Sequence, residues 1–160
     1  MNKKQIMPRP RQTENYAEIY ITAGQTAQNI LEFAGDYTLV TNWSANGSSK
    51  RCVAGYANNK ITIYKPGFYF VSGSFSFFST TDSVVFWGAP FLNAVLQSHI
   101  HWKKTLGTKT NVINVGFVGI IVVSTVPVDL DFRVRHATAA TVSITIEYGN
   151  FNCFYIGGNE

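Results

Sequence analysis

The chain has 160 residues and a net charge of +4, and only 14% of its residues are charged, against about 25% in an average soluble protein. Aromatic residues make up another 14%, and Thr, Asn and Ser together number 39. This composition excludes a disordered chain, which needs high charge and few aromatics, and a long helical assembly rich in Ala, Glu, Lys and Leu. The length suits one domain, and the aromatic and β-branched residues favour strands.

Residues 1–15 are predicted to form an extended N-terminal arm, and residues 16–160 a single folded domain. The arm carries a net charge of +3 and two prolines, but it has no hydrophobic period. The rest of the chain carries +1, so the domain lacks the basic stripe that a nucleic-acid-binding surface needs, and we expect no nucleic-acid partner. The residues expected to anchor the arm to another protein are Lys3, Lys4, Pro8, Arg9, Pro10 and Arg11.

Two segments are candidates for targeting or membrane insertion. No apolar segment of the length of a signal core follows Lys3 and Lys4, so we expect no secretory leader. Residues 110–128 are uncharged, but Asn, Ser, Thr and Pro interrupt them and β-branched residues dominate. This pattern favours a buried strand over a membrane-spanning helix, so no membrane insertion is expected.

Short strand-like segments follow one another along the rest of the chain. Residues 128–135 and 142–148 alternate apolar with charged or polar residues, which predicts strands with one face in the core and one in water. Gly149 then indicates a bulge or bend. The predicted core residues of these two strands are Val128, Leu130, Phe132, Val134, Val142, Ile144 and Ile146.

Further strands are predicted at residues 18–22, 37–43, 60–64, 68–78, 84–87, 91–97 and 100–104. Asn46-Gly47 predicts a hairpin, Lys65-Pro66-Gly67 predicts a turn, and residues 26–33 could form a short helical turn. Eight or more strands at this spacing indicate an all-β sandwich or barrel with antiparallel sheets.

Residues 68–78 and 112–123 break the one-face rule, because both of their faces are apolar or glycine. A strand of an antiparallel sandwich needs only one apolar face for its own core. We therefore predict that another subunit covers the second face. The residues predicted for this interface are Phe68, Phe70, Val115, Phe117 and Ile121.

Residues 65–71, Lys-Pro-Gly-Phe-Tyr-Phe-Val, resemble the Pro-Gly-x-Tyr-x-Phe/Val opening of a central strand in C1q/TNF-like jelly rolls. Residues 59–63 resemble the incoming strand of that family, residues 128–134 its alternating strand near an aspartate, and residues 152–157 its closing Phe-x-Ile strand. The resemblance covers about residues 16–158. It implies an antiparallel jelly-roll β-sandwich that assembles as a homotrimer around an apolar axis.

The collagen region, membrane anchor and secretory signal of animal members have no counterpart here, so the sequence is more similar to the phage branch of the family. The resemblance implies a non-catalytic virion surface protein, a capsid decoration or head-fibre protein whose arm binds other virion proteins of the capsid or tail. The alternative is a tail-fibre tip that binds a host surface glycan through Trp43, Trp87 and Trp102, although burial is the commoner role of tryptophan. A secreted trimeric ligand is disfavoured by the missing signal.

No nucleophile elbow, phosphate loop or zinc spacing occurs, so we expect no enzyme and no cofactor. Asp129 and Asp131 share a strand face with Arg133 and Arg135, which favours charge compensation over a catalytic carboxylate pair.

Two further pairs of residues are candidates for a metal site and for a disulfide. His99 and His101 are a candidate metal pair near a trimer axis, but an exposed edge without metal is the expectation. Cys52 and Cys153 either form a disulfide or remain buried thiols, and the sequence leaves both open.

Overall fold

The structure is a computed structural model that describes residues 14–22, 27–30, 36–137 and 141–158. Within these residues, thirteen strands and one short 3-10 helix follow in chain order. The strands are β1 (Tyr16–Ile21), β2 (Gln28–Ile30), β3 (Thr38–Leu39), β4 (Ala45–Lys50), β5 (Cys52–Gly55), β6 (Lys60–Ile63), β7 (Gly67–Ser79), β8 (Val85–Leu92), β9 (Val95–Leu96), β10 (Trp102–Thr105), β11 (Ile113–Val123), β12 (Val128–His136) and β13 (Val142–Gly157). The 3-10 helix, Tyr56–Asn58, joins β5 to β6.

The strands form two antiparallel sheets, as the sequence predicts. The six-stranded sheet has the order β11-β7-β13-β1-β4, with β2 paired to β13. The seven-stranded sheet has the order β10-β8-β12-β6-β5, with β3 paired to β12 and β9 to β8. The inner faces of the two sheets share one hydrophobic core.

The alternating strands have the predicted parity, and their predicted core residues are all buried, namely Val128, Leu130, Phe132, Val134, Val142, Ile144 and Ile146. A bulge interrupts the register of β13 between Ile146 and Tyr148, just before Gly149. The bulge lets β13 continue to Gly157.

Asn46-Gly47 lies inside β4 and does not form the predicted hairpin turn. A Cβ at position 47 would overlap the side chain of Glu18 on the neighbouring β1, so this glycine serves the close approach of two strands. After β4, the chain leaves the six-stranded sheet at Arg51, whose φ is 57°, and enters the other sheet as β5. Neither strand was predicted, because their residues show little apolar alternation.

Most other strand bounds differ from the predicted ones by one or two residues, and three segments differ more. Gln28–Ile30 is a strand paired with the start of β13, where a helical turn was expected; the remainder of residues 26–33 lies partly outside the described ranges. Only Thr38–Leu39 of residues 37–43 is paired as a strand. Residues 85–87 and 91–92, which were predicted in two separate strands, belong to one strand, β8, and a turn at Asn93 and Ala94 leads into β9.

The predicted anchor residues Lys3, Lys4, Pro8, Arg9, Pro10 and Arg11 lie outside the described residues. Asn15, which was predicted as the last residue of the arm, is fully buried, and its backbone oxygen accepts a hydrogen bond from Tyr155 N at 2.8 Å. Glu14 forms an ion pair with Lys50 at 2.9 Å. The folded domain therefore includes these two residues. In the described part of the chain, no helix has the length and apolarity required to span a membrane.

Candidate functional site

A row of large apolar side chains crosses the outer face of the six-stranded sheet. Ile120 on β11 lies opposite Phe70 on β7, and Phe70 lies opposite Phe154 on β13. Tyr16 on β1 continues the same row. The residues beside them in each strand, such as Tyr69 and Ile121, are fully buried, so the row points away from the core.

A second row beside it enlarges this surface, because Val122 lies opposite Phe68 and both are exposed. Together these side chains form what we call the apolar patch: Phe68, Phe70, Val118, Ile120, Val122, Phe154 and Ile156, each between 39% and 60% exposed. Single exposed apolar residues are ordinary on protein surfaces, but a contiguous group marks an interaction site.

The other half of this sheet face is polar. Ser72 donates a hydrogen bond to the Asn152 side chain at 2.9 Å, and Asn150 Oδ1 accepts one from Ser74 N at 3.0 Å. Farther along, the Ser76 hydroxyl bonds to Asn114. The outward positions of β7 thus change from phenylalanine to serine along one strand. The face is therefore apolar toward one end and hydrogen-bonded toward the other.

The predicted interface residues divide between the two faces of the sheet. Phe68 and Phe70 are in the apolar patch, but Val115, Phe117 and Ile121 point inward and pack in or against the core. The outward residues of β11 are Val118, Ile120 and Val122, so the expected face of this strand is corrected.

The orientation of β11 is explained by the glycine that faces Phe117. Gly73 lies opposite Phe117 in the sheet, and a Cβ there would come within 2.7 Å of the Phe117 ring. Because Gly73 has no side chain, the Phe117 ring can pack at this position in the core. Because β11 is apolar at both parities, its period alone could not distinguish the two faces, whereas this glycine was a usable signal.

The three tryptophans proposed as glycan contacts do not lie together. Trp43 and Trp102 are 5% and 7% exposed; Trp43 donates its indole N–H to the Val40 oxygen at 2.9 Å, and Trp102 packs against Phe77. Trp87 alone of the three reaches the surface, on the outer face of the seven-stranded sheet. The burial expected as the commoner role is therefore observed for two of the three.

The outer face of the seven-stranded sheet is charged. Trp87 lies opposite Lys103 on one side and Arg135 on the other, with both cations about 5 Å from its ring, at 5.2 and 4.9 Å. Arg135 also lies 4.9 Å from the ring of Tyr37, and Arg133 lies 4.4 Å from that of Phe91. These cation–π contacts cover the rings with groups that water solvates well.

Both carboxylates on β12 are compensated by a cation, but only Asp131 is paired with the predicted strand neighbour Arg133, whereas Asp129 is paired with Lys60 of β6. Asp131 accepts two hydrogen bonds from the Arg133 guanidinium, at 2.7 and 2.9 Å. Asp129 is paired with Lys60 at 2.6 Å and accepts a bond from the Thr62 hydroxyl at 2.8 Å. Burial favours the neutral acid, but the bonds from Lys60 and Thr62 outweigh it and hold the pKa of Asp129 below its usual value. Both carboxylates are thus engaged in ion pairs.

His99 and His101 lie in the turn before β10 and do not share a strand face. His99 Nε2 is 2.9 Å from the Ile120 oxygen, and His101 Nδ1 is 2.9 Å from the Ser98 oxygen. Across the described ranges, no group of three or more His, Cys, Asp or Glu side chains is placed to hold a metal ion. His99 instead contacts the backbone of β11, the edge strand that carries part of the apolar patch.

Known structures share this architecture. The sequence matches no family model and no curated protein. The structure is similar to Eiger TNF from S. frugiperda, with a TM-score of 0.53 and 11% identity over 93% of this chain and 96% of that one. It is also similar to the globular domain of the zebrafish complement 1qA protein, with a TM-score of 0.60 and 11% identity over 91% of this chain and 99% of that one.

At this identity the likeness concerns the fold, and it confirms the jelly roll that the motifs imply. The virion setting stays a prediction. The chain therefore has the fold of the TNF/C1q-like jelly rolls.

Proposed function

We propose that this chain is a non-catalytic binding subunit that forms a homotrimer through its apolar patch, and that the trimer is a surface protein of a phage virion. The observation that supports the assembly is the apolar patch itself, where seven large apolar side chains lie exposed on adjoining strands. Leaving such a group in water is unfavourable, and a second copy of the chain is the partner always present at equal concentration.

The position of the patch favours a closed ring over a face-to-face pair. Val118, Ile120 and Val122 lie on β11, which is the edge of the six-stranded sheet. A face-to-face pair would also cover the polar half around Ser74 and Asn150, whereas three copies around an axis can bury the apolar margins alone. The TNF/C1q-like fold agrees with this arrangement.

The virion role rests on the contrast between the arm and the domain. Residues 1–15 carry +3, while the rest of the chain carries +1. Asn15 is held against β13, and Tyr16 lies opposite Phe154, so the arm joins the domain next to the apolar patch. Since Glu14 and Asn15 belong to the folded domain, thirteen residues are left for the arm, and in an extended conformation they would reach about 43 Å at ~3.3 Å each, enough to cross onto a neighbouring protein. We propose that this arm attaches the trimer to the capsid as a decoration or head-fibre protein.

The virion role is tested by measuring how much of three proteins is incorporated into phage particles: the wild type, a truncated chain and a chain with an uncharged arm. Deletion of residues 1–11 should leave a folded trimer with an unchanged melting temperature that is absent from purified virions. A matched control keeps the length of the arm but replaces Lys3, Lys4, Arg9 and Arg11 with serine. Loss of attachment in this control identifies charge as the cause, and wild-type attachment should then weaken as salt is raised. Full occupancy of the truncated protein on the particle would contradict the proposal.

The tail-fibre alternative now depends on Trp87, since Trp43 and Trp102 are buried. Glycan binding by the isolated trimer that is lost in Trp87→Ala would favour this alternative. Absence of binding on an array, together with arm-dependent attachment to capsids, would favour the decoration role.

A further inference from the structure

Two turns flank β12 on the outer face of the seven-stranded sheet and form a polar cleft between them. One is the 3-10 helix with Asn59 as its C-cap, just before β6, and the other joins β8 to β9 at Asn93 and Ala94. We call this space the amide cleft; its volume of about 480 Å³ is within the range of about 300–1,000 Å³ typical of small-molecule sites. Its polar lining residues include Asn58, Asn59, Lys60, Asn93, Asp129 and Arg133.

The backbone of the two turns explains part of this lining. Asn59 and Asn93 have φ angles of 59° and 46°, in the left-handed region that asparagine adopts more readily than most residues with a side chain. Asn58 lies in the 3-10 helix, where the backbone imposes no such preference, and it is exposed. The turns thus place three amide groups around the cleft, and the backbone conformation accounts for only two of them.

Strand β12 supplies the floor of the cleft, where Asp129 is held from both sides. Its carboxylate is bound by Lys60 and Thr62 on one side. On the other side, Asp129 N donates to Asn93 Oδ1 at 3.1 Å, and Asn93 N donates to the Asp129 backbone oxygen at 2.8 Å. The Asn93 amide is planar, so its NH2 group lies on the edge away from this bond and remains a donor. These contacts fix the floor before a ligand arrives.

Arg133 is fixed in the same way at the other end of the floor. Its Nε and Nη2 atoms donate to Asp131, and the guanidinium lies 4.4 Å from the ring centroid of Phe91. A guanidinium has five donors, and these bonds engage two of them. Because Arg133 lines the cleft, its remaining donors are held in one orientation there, and binding through them costs little side-chain entropy.

The charges of the amide cleft are balanced. Its two cations, Lys60 and Arg133, are each paired with a carboxylate that also lines the cleft. Balanced charge gives no preference for an ion, so hydrogen bonding has to select the ligand. Amide groups both donate and accept, and hydroxyl groups do the same. The complement of this lining is therefore a neutral molecule with several hydroxyl groups.

We propose that the amide cleft is a binding site for a neutral sugar, whose hydroxyl groups bond to Asn58, Asn59 and Arg133. An adjoining cleft of about 580 Å³ shares Arg133 and Ala94 with the first and is also lined by Tyr37. A second sugar unit of an oligosaccharide extends past Arg133 into this space, where its less polar face packs on the Tyr37 ring.

The position of the amide cleft makes this site independent of the proposed assembly. Every residue in it belongs to one chain, and it lies on the opposite sheet from the apolar patch. A trimer formed through the patch therefore leaves three such clefts open, and a glycan with several copies of the sugar should bind more tightly than a single unit. A monomeric wild type would contradict the assembly but not the sugar site, and the reverse also holds.

Saturation-transfer NMR on the wild-type protein tests the site. The probes are the methyl glycosides of glucose, galactose, mannose and N-acetylglucosamine, with N-acetylneuraminic acid as the charged comparison. We expect at least one neutral probe to bind with a Kd on the order of 1 mM, as suits a shallow site. Because no net charge is involved, added salt should leave this affinity unchanged.

A double variant locates the bound sugar. Asn58→Ala with Asn59→Gly removes two amides, and glycine keeps the left-handed backbone at position 59. The affinity should fall at least about tenfold, for the loss of two hydrogen bonds, while the urea midpoint stays close to the wild-type value. The matched control is Asn114→Ala, on the outer face of the six-stranded sheet, which should bind like the wild type.

Four results would overturn the proposal. They are the absence of binding by every neutral probe up to about 50 mM, well above the expected Kd; wild-type affinity in the double variant; binding that is lost in Trp87→Ala alone; and a salt-sensitive preference for N-acetylneuraminic acid. If the double variant unfolds, amide shift changes on adding sugar to the wild type decide instead. Changes centred on residues 58–60 and 93–94 support the site, and changes centred elsewhere overturn it.

Discussion

Phe117 and Phe132 stack face to face across the two sheets, with ring centroids 5.2 Å apart and planes 7° from parallel. Phe75 also stacks on Phe132, and the centroids of these two rings are 4.5 Å apart. These rings form the centre of the core, so Phe117 belongs to the folding of a single chain. Removal of the Phe117 ring should therefore lower the stability of the single folded chain, and any effect on assembly would follow from that loss.

Truncation of this stack should be costly. Phe132→Ala is expected to lower the free energy of unfolding by about 3–5 kcal/mol, because it removes a buried ring and leaves a cavity. Urea unfolding followed by tryptophan fluorescence measures the change. Phe154→Ala on the outer face is the matched control, with both changes made in the Ile120→Asp chain, which is expected to be monomeric. A comparable loss of stability in the two variants would contradict the special role of the stack.

Gly73 and Gly116 offer a paired test of how β7 and β11 fit together. Gly73→Ala should destabilise the domain by about 1–3 kcal/mol, since the new Cβ would collide with the Phe117 ring. Gly116→Ala should change stability little, because its Cβ would meet only the Gly73 oxygen, at 3.5 Å. Denaturant midpoints for the two variants decide the matter, and equal effects would contradict the inward orientation of Phe117.

The ion pair within β12 should contribute measurably, since both partners are largely covered. The side chains of Arg133 and Asp131 are 23% and 13% exposed. Arg133→Ala leaves the Asp131 carboxylate without its bidentate partner, and the expected loss is about 1–3 kcal/mol. In the double variant with Asp131→Asn, part of this loss should be recovered. A double variant less stable than the sum of the two single changes would contradict the pairing.

The pH dependence of stability should report on Asp129. Its pKa in the folded chain lies below the ordinary value of 3.8, so its pairing stabilises the fold above that value. The stabilisation is lost as the pH falls through the lower, folded value. The free energy of unfolding should therefore decline less steeply below about pH 4 in Asp129→Asn than in the wild type. Parallel acid titrations by urea unfolding would show whether the slopes differ, and identical slopes would exclude this role.

Strict alternation made some strands predictable in detail. In β12, Leu130 and Phe132 alternate with Asp131 and Arg133, so a single orientation places the apolar side chains in the core and lets the charged ones pair on the opposite face. In β11, both parities are apolar, and the orientation follows from Gly73, a residue on another strand. The apolar pattern of the sequence could therefore show that β11 has a second apolar face, but it could not show which residues form that face.

The unpredicted features share a physical cause, which is dependence on distant contacts. Asn46-Gly47 has the composition of a turn, yet Gly47 is needed against Glu18 of β1. Trp43 has a polar sequence neighbourhood, and its burial depends on contacts with Phe75 and Phe151 from β7 and β13.

The native mass of three proteins tests the central claim, which is assembly through the apolar patch. Wild type at micromolar concentration should have about three times the chain mass of 17.8 kDa. Ile120→Asp should be a folded monomer, because burying the new charge in the interface costs several kcal/mol while leaving it in water costs the single chain little. Val53→Asp, an exposed apolar position on the other sheet, should remain a trimer. A monomeric wild type, or a trimeric Ile120→Asp, would contradict the account.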